Sequence, residues 1–331
     1  MIMTLADLLP LLPLLIVSAT AVLVMLQIGI RRSHTVTVAI AVTGLLLATL
    51  AAALLMSVTN AQVTPLLIID QYSLFFTVVC CAAAMFIVIL SYPYLARLDD
   101  DKDEYYLLLV IATVGAIVMV SSNHFVSTIL GLETLSMSLY GMVAYPLHSR
   151  HSALYPLEAA VKYLVLSAVS SSFMLFGMAL IYAQTGTLAF SSLIDLSSNA
   201  AVSLSDSYSI VGLLLLISGM AFKLSLAPFH MWTPDVYEGS PLPATAYLAT
   251  IGKTAMFVVL LRFVVVTEAL SYDAVVIVFS LIAVLSILVG NVLALLQNEL
   301  KRILAYSSIA HMGYLIIALI ASNFAASTIS I

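Results

Sequence analysis

The chain has 331 residues, 63% of them hydrophobic and 8% charged, with a formal net charge of −5. A soluble globular domain carries about 25% charged residues, so this composition excludes a water-soluble fold and marks an integral membrane protein. The apolar runs suit helices of about 20 residues and not the alternating segments of about ten that build a barrel. No basic patch of the kind nucleic acid requires is present.

In chain order, hydropathy predicts an all-α polytopic bundle of ten spans, at about 6–29, 35–57, 71–95, 104–121, 124–146, 156–183, 209–227, 242–264, 273–296 and 302–323. The opening MIMTLADLLP lacks a basic n-region and a small-residue cleavage site, so it reads as the start of the first span. Cys80 and Cys81 are neighbours in an apolar run and read as small packing residues. The links are short except near 184–208, which is rich in Ser, Asn and Asp.

Basic residues set the orientation. Arg31 and Arg32 lie in the first link, Arg97 and Lys102 in the third, Arg150 in the fifth, and Lys301 and Arg302 in the ninth. These links share one side, which the positive-inside rule makes cytoplasmic, with the N-terminus outside. Arg262, at the end of the eighth span, is the exception. Asp99, Asp100, Asp101, Asp103 and Glu104 read as a solvated acidic loop.

Glu133, Lys162, Lys223 and Lys253 fall inside predicted spans. Left facing lipid they would together cost on the order of 10 kcal/mol, so they must face one another or water. Glu133 heads a polar stripe with Ser136 and Tyr140 on one helix face, and a structural ion pair is the competing reading. Lys162 has Glu158 one turn before it as a possible helix-end partner. Ser170, Ser171 and Ser172 on the same helix would let a neighbour approach closely. Lys223 precedes Pro228, which cannot donate an amide hydrogen and clashes with the carbonyl of Leu224. Backbone broken at membrane depth is tolerated only inside protein or along a wet cavity. The residues therefore suggest an ion or proton path with its helix break at Pro228. His230, just after the break, and His311, beside Ser307 and Tyr314 at helical spacing, read equally well as relay or as packing. Asp235 and Glu238 read as turn or cap residues, His124, His148 and His151 as residues near links, and most aromatics as bundle packing. Zinc spacing, a phosphate loop, a GxSxG elbow and a CxxCH haem site are all absent from the sequence.

GLETLSMSLYGMVAY, EAAVKYLVLSAVSSSFMLFGMALIYAQTG, FKLSLAPFHMWTPDVYEG and YSSIAHMGYL resemble the antiporter-like membrane subunits of respiratory complex I, in particular the N-type subunits of bacterial proton-translocating NADH–quinone oxidoreductase. The likeness runs from the N-terminal helices to residue 323. It implies a fold of about fourteen helices with two inverted five-helix repeats, each holding a broken helix. On that scheme residues 1–100 form an N-terminal three-helix segment, 101–266 the first repeat and 267–331 the start of the second. Family members continue for about four more helices, so the chain looks C-terminally truncated, either as a fragment or as a truncated gene.

The resemblance also implies roles. Glu133 corresponds to the family's carboxylate on the fifth helix, Lys223 to its lysine on the broken seventh, Lys253 to the eighth-helix lysine and Lys162 to an extra lysine on the sixth. His230 and His311 match polar axis positions less closely. Protons would cross through this axis, with Glu133 pairing either Lys162 or Lys223, and an opposite charge would help a buried lysine hold its proton. NADH oxidation and quinone reduction would occur in partner subunits that hold NAD, FMN, iron–sulfur clusters and quinone, with no cofactor or metal in this chain. The implied partners are the lipid bilayer and the adjacent K-type and M-type membrane-arm subunits, in a bacterial inner membrane. Two rivals stand beside this reading: a stand-alone cation/proton antiporter, and a non-conducting membrane scaffold that keeps its charges only to pair helices.

Overall fold

A computed structural model describes residues 5–57, 63–97, 102–145, 154–191, 193 and 207–329. Asp99, Asp100, Asp101, His148, Arg150, His151 and most of the 184–208 link lie outside the described residues. A 3-10 turn, Leu5–Leu11, leads into α1 (Leu12–Ile30), followed by α2 (His34–Leu55), α3 (Gln71–Leu95), α4 (Asp103–Val120) and α5 (Phe125–Ala144). Then come α6 (Leu154–Thr185), α7 (Ser207–Lys223), the short α8 (Trp232–Gly239), α9 (Leu242–Val266), α10 (Asp273–Leu295) and α11 (Leu300–Ile329). Among the described residues, nine helices are long and apolar enough to span a membrane, and α7 adds a shorter apolar one. This is the polytopic helical bundle that the composition predicts. In lipid the helix is favoured because it satisfies every backbone group within one segment.

The seventh span differs from expectation. Hydropathy carries it to residue 227, but α7 stops at Lys223, and the break covers 224–231. Pro228 forbids a helical carbonyl four residues back, at Leu224, and disfavours the helical region for Ala227, so the chain must leave the helix before reaching it. Ser225 takes a φ of 60°, and the Ala227–Pro228 peptide is cis. Lys301 and Arg302, expected in a link, belong to the first turn of α11.

The chain folds as two compact units. The first comprises Met1–Val161 and Gly239–Val259. Within it α1, α2, α3, α4 and α5 pack as neighbours, and the start of α9 packs on α3 and α5. The α4–α5 contact turns on two glycines. A Cβ on Gly115 would lie 2.7 Å from the Gly131 carbonyl oxygen, and one on Gly131 would lie 2.8 Å from that of Gly115. Small residues let membrane helices approach to this degree, because packing replaces the hydrophobic drive that water would supply. The ends are capped: Asp70 and Ser73 form a reciprocal capping box on α3, and His124 Nδ1 accepts from the Val126 amide on α5 at 3.1 Å.

The second unit comprises Lys162–Glu238 and Leu260–Ile331. Here α6 packs against α7 through a second pair of glycines. A Cβ on Gly177 would lie 2.5 Å from the Gly212 carbonyl oxygen, and one on Gly212 would lie 2.8 Å from that of Gly177. Helices α10 and α11 form an antiparallel pair in the same unit.

Candidate functional site

In the first unit, Lys253 sits near the middle of α9 and is 3% exposed. It directly follows a π turn, Leu248–Gly252, within the otherwise α-helical span. Such turns shift the hydrogen bonds by one residue and occur often at functional sites. Just before the turn, Tyr247 is fully buried and its hydroxyl lies 3.1 Å from Thr113 Oγ1. Thr113 donates to the Leu109 carbonyl at 2.9 Å, so Tyr247 is the donor to Thr113. Glu133 lies half-buried on α5, with Ser136 buried and Tyr140 half-buried on the same face. The start of α9 packs on α5, and a Cβ on Gly252 would stand 3.9 Å from Leu139 Cδ1.

In the second unit, Lys223 is the last residue of α7 and is 7% exposed. Its Nζ donates to Ser167 Oγ on α6 at 2.5 Å. Its place in the last turn puts its charge at the negative end of the helix. The freed backbone of the break is largely re-satisfied within protein. The amides of Leu224, Ser225 and Leu226 bond the carbonyls of Met220, Phe222 and Ala221. The Ala227 amide donates to Ser286 Oγ on α10 at 2.9 Å, and that hydroxyl donates to the Ile282 carbonyl at 2.6 Å. Trp232 Nε1 donates to the Phe222 carbonyl at 3.0 Å. The indole stacks on Tyr163 and on Phe222, with ring centroids 5.0 Å and 5.4 Å away. Pro228 itself is exposed, whereas His230 is buried in the same break. The Pro228 carbonyl approaches the His230 ring, but neither ring nitrogen completes a hydrogen bond among the described residues.

Lys162 is exposed, with Nζ 3.0 Å from Asp235 Oδ2. Asp235 Oδ1 faces Arg302 Nη1 at 3.2 Å, and the same nitrogen lies 2.7 Å from Glu238 Oε2. His311 is exposed on α11, its ring centroid 6.3 Å from that of Tyr314. Of the predicted residues in this unit, Lys223 and His230 are thus brought into one break, Lys162 enters an ionic cluster, and His311 stands on an exposed helix face.

Residues 122–331 match the family described as NADH:quinone oxidoreductase/Mrp antiporter, transmembrane. The chain belongs to that family. Solved relatives carry the likeness over nearly the whole chain. A chain of respiratory complex I from Thermus thermophilus, solved with bound Aureothin, is 34% identical with a TM-score of 0.77, over 93% of this chain and 64% of that one. A chain of the membrane-bound sulfane sulfur reductase, an archaeal respiratory membrane complex, is 25% identical with a TM-score of 0.82, over 95% of this chain and 64% of that one. A chain of the Mrp complex from Dietzia sp. DQ12-45-1b shares the fold at a TM-score of 0.81 and 17% identity, over 96% of this chain and 59% of that one. The chain therefore spans about three fifths of the length of these relatives.

Several functional candidates escape sequence reasoning. Asp235 and Glu238 look like turn residues and Arg302 like a link charge, yet they form the ionic cluster with Lys162. Trp232, the chain's one tryptophan, looks like packing, yet it closes the end of α7 beside Lys223. Its neighbours Pro228 and Pro234 were the available signal, because a polar-tipped aromatic inside a break has freed carbonyls to bond.

Proposed function

We infer that this chain is an N-type membrane-arm subunit of a proton-translocating NADH–quinone oxidoreductase in a bacterial inner membrane, with its N-terminus on the periplasmic side. Protons cross through an axis that draws on Glu133, Lys162, Lys223, Lys253, His230 and His311. NADH oxidation and quinone reduction occur in other subunits, and K-type and M-type subunits are its neighbours. Residues 101–266 form the first antiporter-like repeat, after a three-helix segment at 1–100, and 267–331 open the second. The observation that carries this reading is that Lys223 and Lys253 are buried at 7% and 3% exposure, each at a departure from regular α-helix. Intramembrane cations are rare and mark ion and proton pathways.

The test is a purified complex containing the full chain, reconstituted in vesicles, with Lys223→Ala and Lys253→Ala variants. The expected result is loss of proton uptake with the complex assembled. Equal losses of assembled complex and proton uptake would favour the scaffold. The family description also covers Mrp antiporters, which supports a second reading as a cation/proton antiporter. Ion exchange by the vesicles without NADH or quinone would favour that one.

A further inference from the structure

One continuous helix, α6, holds both halves of the broken one. Lys162 and Tyr163 are consecutive on α6, and their partners Asp235 and Trp232 lie one turn apart on α8. Farther along α6, Ser167 receives Lys223, and Ser170 Oγ donates to the Gly219 carbonyl of α7 at 3.0 Å. Trp232 links the halves directly, because its indole N–H bonds the carbonyl of Phe222, the residue before Lys223. All these groups belong to the second unit.

At the far end of this chain of contacts the charges are shared. Asp235 uses one oxygen for Lys162 on α6 and the other for Arg302 on α11. Arg302 Nη1 is nearer Glu238, at 2.7 Å, than Asp235, at 3.2 Å. Arg302 Nε is occupied by Gln297 at 3.0 Å, and Lys301 Nζ holds the Glu238 carbonyl at 3.1 Å. Arg302 therefore keeps a carboxylate if Asp235 moves away, and Asp235 keeps a cation whichever way it leans. Side chains this accessible, 28% to 44%, gain little stability from pairing because solvent screens them. Coupling between sites requires an element whose balance between two arrangements both sites bias.

We propose that Asp235 is a positioning residue for Lys223. It sets the seat of α8 on α6 by shifting between Lys162 and Arg302, and α8 sets the end of α7 through the Trp232–Phe222 hydrogen bond. This rests on the proton-path role of Lys223. The experiment uses the assembled complex in vesicles and reads protons moved per quinone reduced, alongside the amount of intact complex. The variants are Asp235→Asn, Asp235→Glu, Trp232→Phe, the Asp235→Asn/Trp232→Phe double, and Lys223→Ala. Asp235→Asn lowers the ratio about twofold or more without loss of complex, and Asp235→Glu restores it. Trp232→Phe keeps the ring and removes the N–H, and it lowers the ratio similarly. The double variant is no worse than the worse single, since both cut one link. Losses that multiply in the double variant overturn the proposal, as does an Asp235→Asn loss that tracks loss of complex. An unchanged ratio in Asp235→Asn beside a lost one in Lys223→Ala removes this link alone. An unchanged ratio in Lys223→Ala removes the path reading, and this proposal with it.

Discussion

Replacing Lys253 with Met separates a proton carrier from a helix lock. Methionine keeps an unbranched side chain and removes the ammonium. The lysine is 3% exposed in a 25-residue span. A lysine at the centre of a span costs about 2.5–3.5 kcal/mol on insertion scales, so the Met helix enters the bilayer about 3 kcal/mol more favourably. Against this stands whatever the ammonium gives its neighbours. Breaking one side of a buried ion pair costs about 3–5 kcal/mol. If Lys253 exists to lock helices, the second figure wins, and a loss of 1–2 kcal/mol would already change the amount of complex severalfold. If it exists to carry protons, what its ammonium gives its neighbours is no larger than the insertion gain, and assembly is retained. Native gels measure assembly, and dye quenching in sealed vesicles measures proton uptake. The expected outcome is complex within about twofold of wild type and uptake down by about tenfold or more, equivalent to at least ~1.4 kcal/mol on the transfer barrier. Uptake and complex falling in parallel would refute the reasoning, and so would normal uptake by Lys253→Met.

Ser286→Ala removes the acceptor of the Ala227 amide, which then lies buried without that bond, and should destabilise the complex by about 1–3 kcal/mol in thermal unfolding followed by scanning calorimetry. Ser225→Gly should stabilise by about 1 kcal/mol, because it relieves a φ of 60° and deletes a buried hydroxyl with no hydrogen-bond partner among the described residues; a lower melting temperature would count against strain there. His124 caps α5 through a neutral Nδ1, and burial pushes its pKa below the ordinary 6.5. The folded protein therefore binds fewer protons than the unfolded chain. The cap is intact above about pH 6.5 and is lost as pH falls through the lowered value, which lower protection of the Val126 amide relative to intrinsic exchange at the same pH should report and His124→Asn should abolish.

The helices are legible in the apolar runs because lipid leaves the backbone one solution per segment, and the composition alone excludes water. The burial of Lys223 and Lys253 follows from the same cost, since neither can face hydrocarbon cheaply. Lys162 shows where that logic stops. Its i−4 neighbour Glu158 makes a local pair the natural alternative, but its ammonium reaches the carboxylate of Asp235, 73 residues away. Linear spacing cannot rank a distant carboxylate against a near one. Nor can it place the start of the break. Pro228 marks that a helix must end, while Lys223, five residues earlier, is where it ends, because the turn with Ser225 at positive φ needs room before the proline. The π turn ahead of Lys253 carries no compositional mark, since LATIG would also continue an α-helix.

Lys223 and Lys253 share one physical feature that Lys162 and His311 lack. A regular α-helix commits each interior carbonyl to an amide one turn later, so a buried ammonium there can reach only the second lone pair of an oxygen already bonded. A helix end leaves its last carbonyls uncommitted, and a π turn moves the bonding register by one residue. Lys223 terminates α7 and Lys253 follows the π turn of α9, so each buried lysine sits where the backbone has departed from full internal bonding. Lys162 and His311 lie exposed on unbroken helices, and neither position needs such a departure. Irregular backbone at membrane depth is costly unless something uses the groups it frees. Its coincidence with the two buried cations, once in each unit, is what the proposed charge transfer calls for, whereas packing alone would be met at lower cost by a regular helix with a leucine at either position.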